Sequence, residues 1–146
     1  IINMLSKTCE YALRAMIYIS QQSKDGNMVN IKQISENIQS PELFVAKILQ
    51  NLSRQGFLQS SKGRYGGFYI NNEKAKISLA DIVRAIDGNK MFEGCGLGLA
   101  SCSEDNPCPI HNEYKEARNK LYEIYGKTTL DQFKSPQKEK LLLKRE

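Results

Sequence analysis

The tripeptide Ser40-Pro41-Glu42 constrains the fold more than any other feature of this chain. A serine oxygen caps free backbone N–H groups, proline suits the first helical position, and glutamate complements the positive end of a helix. The spacing predicts a helix from there to Arg54, with Val45, Ile48, Leu49 and Leu52 inward and Gly56 stopping it. A shorter helix is expected just upstream, over residues 31–38. Two short helices joined tightly, the second capped, form a helix-turn-helix pattern. Two strand candidates follow, 57–61 and 67–70, linked by Lys62-Gly63-Arg64-Tyr65-Gly66. Glycines around a two-strand ribbon permit positive φ and close approach to another surface. A helix-turn-helix followed by a basic, glycine-framed hairpin is the layout of a winged helix.

The flanking segments fit that frame. Leu5, Cys9, Ala12, Leu13, Met16, Ile17 and Ile19 recur mostly at three- and four-residue steps, predicting an amphipathic helix over 5–22 with Ser6 as its cap. Lys24-Asp25-Gly26-Asn27 ends it. Cys9 lies on the apolar side and reads as core, because a free cysteine behaves as a small hydrophobe. Ser78 and Asp81 start another helix, 78–86, and Gly88 stops it. Residues 94–109 form a loop with three cysteines, three glycines and two prolines. Ile110, Tyr114, Ala117, Leu121 and Ile124 then mark a helix over 110–125. Their narrow stripe suits a seam between paired helices, packing on its own domain being the alternative. Residues 129–133 suggest a last helical turn, and 134–146 a charged tail that is loose or extends the helix. The expected class is mainly α with a small β-hairpin wing. Its units are a winged helix-turn-helix (4–88), a cysteine-rich loop (89–109), a dimerisation helix region (110–133) and the tail.

Charge is uneven over the 146 residues. The formal net charge is +5, with +4 in residues 1–75, −2 in 76–126 and +3 in 127–146. A basic first half points to an anionic partner for the N-terminal unit. No apolar run approaches the roughly 18 residues needed to span a bilayer. Lys7, Glu10 and Arg14 break the N-terminal apolar stretch, which argues against a signal peptide and for a cytoplasmic address. There the four cysteines are expected to be thiols or ligands rather than structural disulfides. The single histidine excludes multi-histidine metal centres.

Several segments together resemble the Rrf2 family of bacterial transcription regulators. They are Met4-Leu5-Ser6-Lys7 leading into Glu10-Tyr11-Ala12-Leu13-Arg14, the helix opened by Ser40, the wing Ser61-Lys62-Gly63-Arg64-Tyr65-Gly66-Gly67-Phe68, and Cys108-Pro109-Ile110-His111. The resemblance runs from Met4 to about Phe133. Members normally start at the methionine matching Met4, so residues 1–3 are expected to be either added residues or residues of an upstream start. It implies a homodimer of winged helices joined by the long C-terminal helix, bound to double-stranded DNA at a near-palindromic operator. The recognition helix would enter the major groove and the wing tip the adjacent minor groove. On the face opposite the apolar stripe lie Leu43, Lys47, Gln50 and Arg54. Lys47 and Gln50 are candidates for base edges or phosphate, and Ser40 for phosphate. Lys62 matches the family's basic wing residue. Arg64 adds a cation suited to a narrow minor groove, and both Arg64 and Tyr65 stand where relatives often carry a small residue or proline.

Cys95, Cys102, Cys108 and His111 are spaced C-x6-C-x5-C-x2-H. Iron–sulfur members use C-x5-C-x5-C-x2-H, so one residue is inserted here. Soft thiolates select an iron–sulfur cluster, of two or four irons, or zinc. Zinc ranks lower, because the short C-x2–4-C pair of structural zinc sites is missing. The resemblance offers His111 as fourth ligand, with Glu10 the alternative, donated from a partner subunit. Two other functions stay open at this point. One is a cluster-free regulator answering to a protein or metabolite. The other is a thiol enzyme using Cys108 and His111 as nucleophile and base, which lacks an orienting third group.

Overall fold

The computed structural model describes residues 4–23, 25–71, 73, 76–138 and 141–144. Residues 1–3 and Lys24, and in the tail 139–140 and 145–146, lie outside the described residues. Among the described residues, six helices and one hairpin follow in the order α1 (Lys7–Ser23), α2 (Ile31–Ile38), α3 (Glu42–Arg54), β1 (Gln59–Ser61), β2 (Gly67–Tyr69), α4 (Leu79–Asp87), α5 (Lys90–Glu93) and α6 (His111–Lys127). A 3-10 turn at Leu130–Phe133 closes the order. A mostly helical chain with a two-strand antiparallel hairpin is the class expected from the sequence.

α1 is the centre of the core. It packs against α2, α3, α4, β2 and the 3-10 turn, and Cys9, Ala12, Met16 and Ile19 are fully buried. Each large apolar side chain removed from water in this way contributes about 1.5–3 kcal/mol. The Ser6 hydroxyl caps α1 by accepting from the Cys9 N–H at 3.0 Å. Asp87, at the end of α4, accepts from the Ser6 N–H at 2.9 Å and from its hydroxyl, tying the two helices together. Both ends of the Ser78–Asp81 capping box are made, at 3.1 Å each.

Ser40 departs from expectation. Pro41 holds the N-cap position of α3, and no side chain caps the helix. Gln39 turns left-handed with φ 53°, and the Ser40 N–H donates back to the Ser35 carbonyl at 3.1 Å. The Ser35 hydroxyl in turn donates to the Ser40 carbonyl. Ser40 is thus consumed by the turn between α2 and α3, with its hydroxyl buried there.

The hairpin pairs Gln59 with Tyr69, Ser60 with Phe68 and Ser61 with Gly67. Phe68 also bridges Val29 in the segment before α2, exchanging bonds of 2.8 and 3.0 Å. That third, non-local pairing anchors the wing to the core. Gly66 is obligatory, since a Cβ there would lie 2.0 Å from the Ser61 carbonyl oxygen. α5, a single turn that buries Met91 and Phe92, was not expected from the sequence. Nor does the tail extend α6. The Gln21 amide donates to the carbonyls of Phe133 and Lys138, folding the chain back onto α1.

Candidate functional site

Two surfaces carry the residues singled out above. On α3, Leu43, Lys47 and Gln50 are exposed, Leu43 at 81%. Lys47 borders a shallow apolar hollow with Thr8, Phe44, Ile48, Asn51 and Ile86. Phe44, not foreseen from the sequence, is half exposed and packs edge-on against Tyr11 at 6.0 Å. At the wing tip Lys62, Arg64 and Tyr65 project into solvent, with Tyr65 87% exposed. The Arg64 guanidinium lies 5.6 Å from the Tyr65 ring centre. Gly63 takes φ 107°, which turns the hairpin there. Ser40 belongs to neither surface.

The cysteine loop is built from successive tight turns. The Gly98 N–H donates to the Cys95 carbonyl at 3.0 Å, Cys102 to Leu99 at 3.3 Å, and His111 to Cys108 at 3.0 Å, while Ser103 and Asn106 bond each other both ways at 3.2 Å. These turns fold the chain so that the Sγ atoms of Cys95, Cys102 and Cys108 lie within 4.8 Å of one another. Cys95 and Cys108 approach to 3.8 Å, and all four cysteines of the chain are free thiols. His111 joins this edge through Nδ1, 3.3 Å from Cys102 Sγ. Glu10 is not part of the group within one chain. Two features of α6 hold the loop, and neither was legible in the sequence. Arg118 donates to the carbonyls of Glu93 and Gly94 at 2.9 and 2.8 Å. The Tyr114 ring packs on Gly96, where a Cβ would meet it at 2.7 Å.

Electrostatics separate Cys95, Cys102 and Cys9. Backbone N–H groups of Leu99 and Leu97 bring Cys95 down to about 7. Cys102 is also favoured as thiolate by the Cys108 N–H, but lost hydration and the neighbouring thiols outweigh that and raise it. Cys9, buried on α1 and facing Asp87, is pushed up to about 12. Cys9 is therefore a core thiol, as its place on the helix predicts. Three convergent thiols, one already inclined to ionise, with an imidazole alongside make a donor set that fits a soft metal centre.

α6 divides the stripe seen in the sequence. Tyr114 and Leu121 turn toward the chain's own domain, where Phe92 also stacks edge-on against Tyr122 at 5.2 Å. Ile110, Ala117 and Ile124, seven residues apart, remain exposed. No residue of α6 is buried. Among the described residues, no helix is long and apolar enough to cross a membrane.

A winged helix-turn-helix carrying a three-thiol loop defines a DNA-binding regulator of transcription. The family model of Rrf2, described as iron-dependent transcriptional regulator, matches residues 5–135, and the chain belongs to that family. A protein of Aquifex aeolicus (strain VF5) named as an HTH-type transcriptional regulator is 33% identical over 129 residues, covering 87% of this chain and 88% of that one. The fold matches Bacillus subtilis CymR, the global cysteine regulator, with a TM-score of 0.73 at 22% identity, over 92% of this chain and 97% of CymR. It also matches T. potens IscR with a TM-score of 0.68 at 21% identity, over 94% and 90% of the two chains. Family and relatives are transcriptional regulators, not enzymes. Consistently, the His111 ring bonds Cys102, not the Cys108 that a nucleophile–base pair would require.

Proposed function

We propose that this regulator is a cytoplasmic homodimer whose affinity for a near-palindromic operator is set by an iron–sulfur cluster held by Cys95, Cys102, Cys108 and His111. The convergence of the three Sγ atoms beside the imidazole carries this reading. Such a cluster supplies reactivity toward redox change and nitric oxide. The chain's own residues supply the rest. Lys47 and Gln50 on α3 reach base edges, with Leu43 beside them, while Lys62, Arg64 and Tyr65 follow the backbone at the adjacent minor groove. Ile110, Ala117 and Ile124 pair with the same residues of a second copy, because a heptad-spaced apolar row on an exposed helix is a seam.

The loop lies between the winged helix and α6, so the ligands fix the angle between the DNA-reading unit and the pairing unit. Half-site spacing makes palindrome binding sensitive to that angle. Coupling between two sites amounts to about 1–3 kcal/mol, or roughly 5- to 150-fold in affinity. The test is anaerobic reconstitution with iron and sulfide, Mössbauer spectroscopy to give the number of irons, and operator affinity at one salt concentration. Holo protein and the Cys102→Ala variant should differ within that range while nonspecific binding stays nearly unchanged. Equal operator affinity for holo, apo and Cys102→Ala proteins would mark a cluster-free regulator. Uptake of zinc without sulfide would mark a structural zinc site.

A further inference from the structure

Glu104, in the turn between Cys102 and Cys108, brings a carboxylate to the edge of the thiol site. Its Oε1 accepts from Lys115 Nζ on α6 and lies 3.5 Å from His111 Nε2. The His111 side chain is only 10% exposed, and its other nitrogen, Nδ1, faces Cys102 Sγ at 3.3 Å. The imidazole thus lies between a carboxylate and a thiol: Nδ1 meets Cys102 Sγ, while the buried Nε2 makes no hydrogen bond among the described residues and has the Glu104 carboxylate 3.5 Å away. Glu104 itself is 65% exposed and Lys115 40%. An ion pair so open to water contributes little to stability. Its geometric consequence is larger, because a carboxylate at one ring nitrogen fixes the rotation of the ring and leaves the opposite lone pair aimed at a metal.

We propose that Glu104, braced by Lys115, is a positioning residue that turns His111 so that Nδ1 completes the ligand set begun by Cys95, Cys102 and Cys108. This rests on the cluster reading above, in which His111 is the fourth ligand. Among the described residues Glu104 meets Lys115 and His111 but no thiol, so it acts through the imidazole alone. The arrangement also links the loop to α6. Lys115 stands four residues after His111 on the same helix, so Glu104 closes a small ring of loop, imidazole and helix. Removing it should loosen the ligand without disturbing the three thiols.

The test compares the full chain with Glu104→Ala, His111→Ala and the double variant, all reconstituted anaerobically with iron and sulfide. Two readouts are followed, release of iron to an excess of chelator and pulsed EPR of the reduced cluster. Outer partners of metal-bound histidine are worth roughly 10- to 100-fold in metal affinity. Glu104→Ala is therefore expected to release iron about tenfold or more faster than the unaltered chain. It should also weaken or spread the nitrogen coupling that the unaltered chain shows. Because Glu104 acts only through His111, the double variant should release iron no faster than His111→Ala alone. Multiplying effects or an unchanged release rate in Glu104→Ala would overturn the role of Glu104 while leaving the cluster reading intact. A cluster without nitrogen coupling in the unaltered chain would overturn both the role of Glu104 and the place of His111 while leaving a cluster on the three thiols. An unaltered chain that takes up no iron and sulfide overturns both.

Discussion

α1 and α6 are each 17 residues long, yet α1 buries eleven side chains and α6 buries none. The difference begins in composition. α1 carries Cys9, Ala12, Leu13, Met16, Ile17 and Ile19 on a broad face, so neighbours can cover it from several sides. α6 is polar with a thin apolar row, and its contacts with its own domain run through Tyr114, Arg118, Leu121, Tyr122 and Tyr125. One helix holds the fold together. The other presents a loop and an uncovered row to its surroundings. Its end is nevertheless pinned, because Leu79 donates to the Thr128 carbonyl at 2.9 Å and Leu130 donates to Ile77 at 3.1 Å.

The widest contrast should appear in thiol chemistry. Cys9 belongs to the covered helix and Cys95 to the loop that α6 supports, and the thiolate is the reactive form. With Cys95 near 7 and Cys9 near 12, and the lower intrinsic nucleophilicity of the more acidic thiolate allowed for, apo protein treated with iodoacetamide at about pH 7.5 should modify Cys95 about 100-fold or more faster than Cys9. Peptide mapping by mass spectrometry reads this directly. Comparable rates would mean that α1 opens as readily as the loop.

Truncation should separate the two helices next. Ile19→Ala leaves a hole in the core and is expected to cost about 2–5 kcal/mol by urea unfolding. Ile124→Ala should cost less than about 0.5 kcal/mol in the monomer. A large cost for Ile124→Ala at high protein concentration would instead show its burial in the proposed dimer. Ile124→Asp is the cleaner probe of that dimer, giving monomer by sedimentation, because Leu121 also touches its own core.

The buried thiol also predicts a pH dependence. A folded value near 12 against 9 unfolded means that the unfolded chain loses its proton first as pH rises. Stability is therefore full below pH 9 and falls between pH 9 and 12, by up to about 4 kcal/mol. Tyr18 and Tyr125, both raised by burial, act in the same direction. Cys9→Ala should flatten the decline, and an identical pH profile for the variant would count against the burial of Cys9. The smallest effect is expected at the wing, which the core does not need. Lys62→Ala with Arg64→Ala should leave unfolding unchanged and reduce the slope of log affinity against log salt by roughly one or two units. An unchanged slope would place both side chains away from phosphate.

Local chemistry in the chain was enough to predict most of the helices. α2, α4 and the bulk of α1 and α3 follow from apolar spacing, with Ser6 and Ser78 as caps and Gly88 as a stop, because these signals act over three or four residues. The thiol set was equally legible, since three cysteines in one short loop have few ways to avoid each other. Non-local pairing decided the remainder. Ser40 is an exception of short range, spent in the turn by Ser35 five residues back, a competition that capping preferences alone do not decide. That the wing is tied down through Val29, and that the tail returns to Gln21, required partners 39 to 117 residues distant in sequence. Glu104 meets Lys115 and His111 only once the loop has closed on α6. The division of the α6 stripe has the same origin. A helical repeat says which residues share a face, but only the position of the neighbouring helices says which part of that face is already covered.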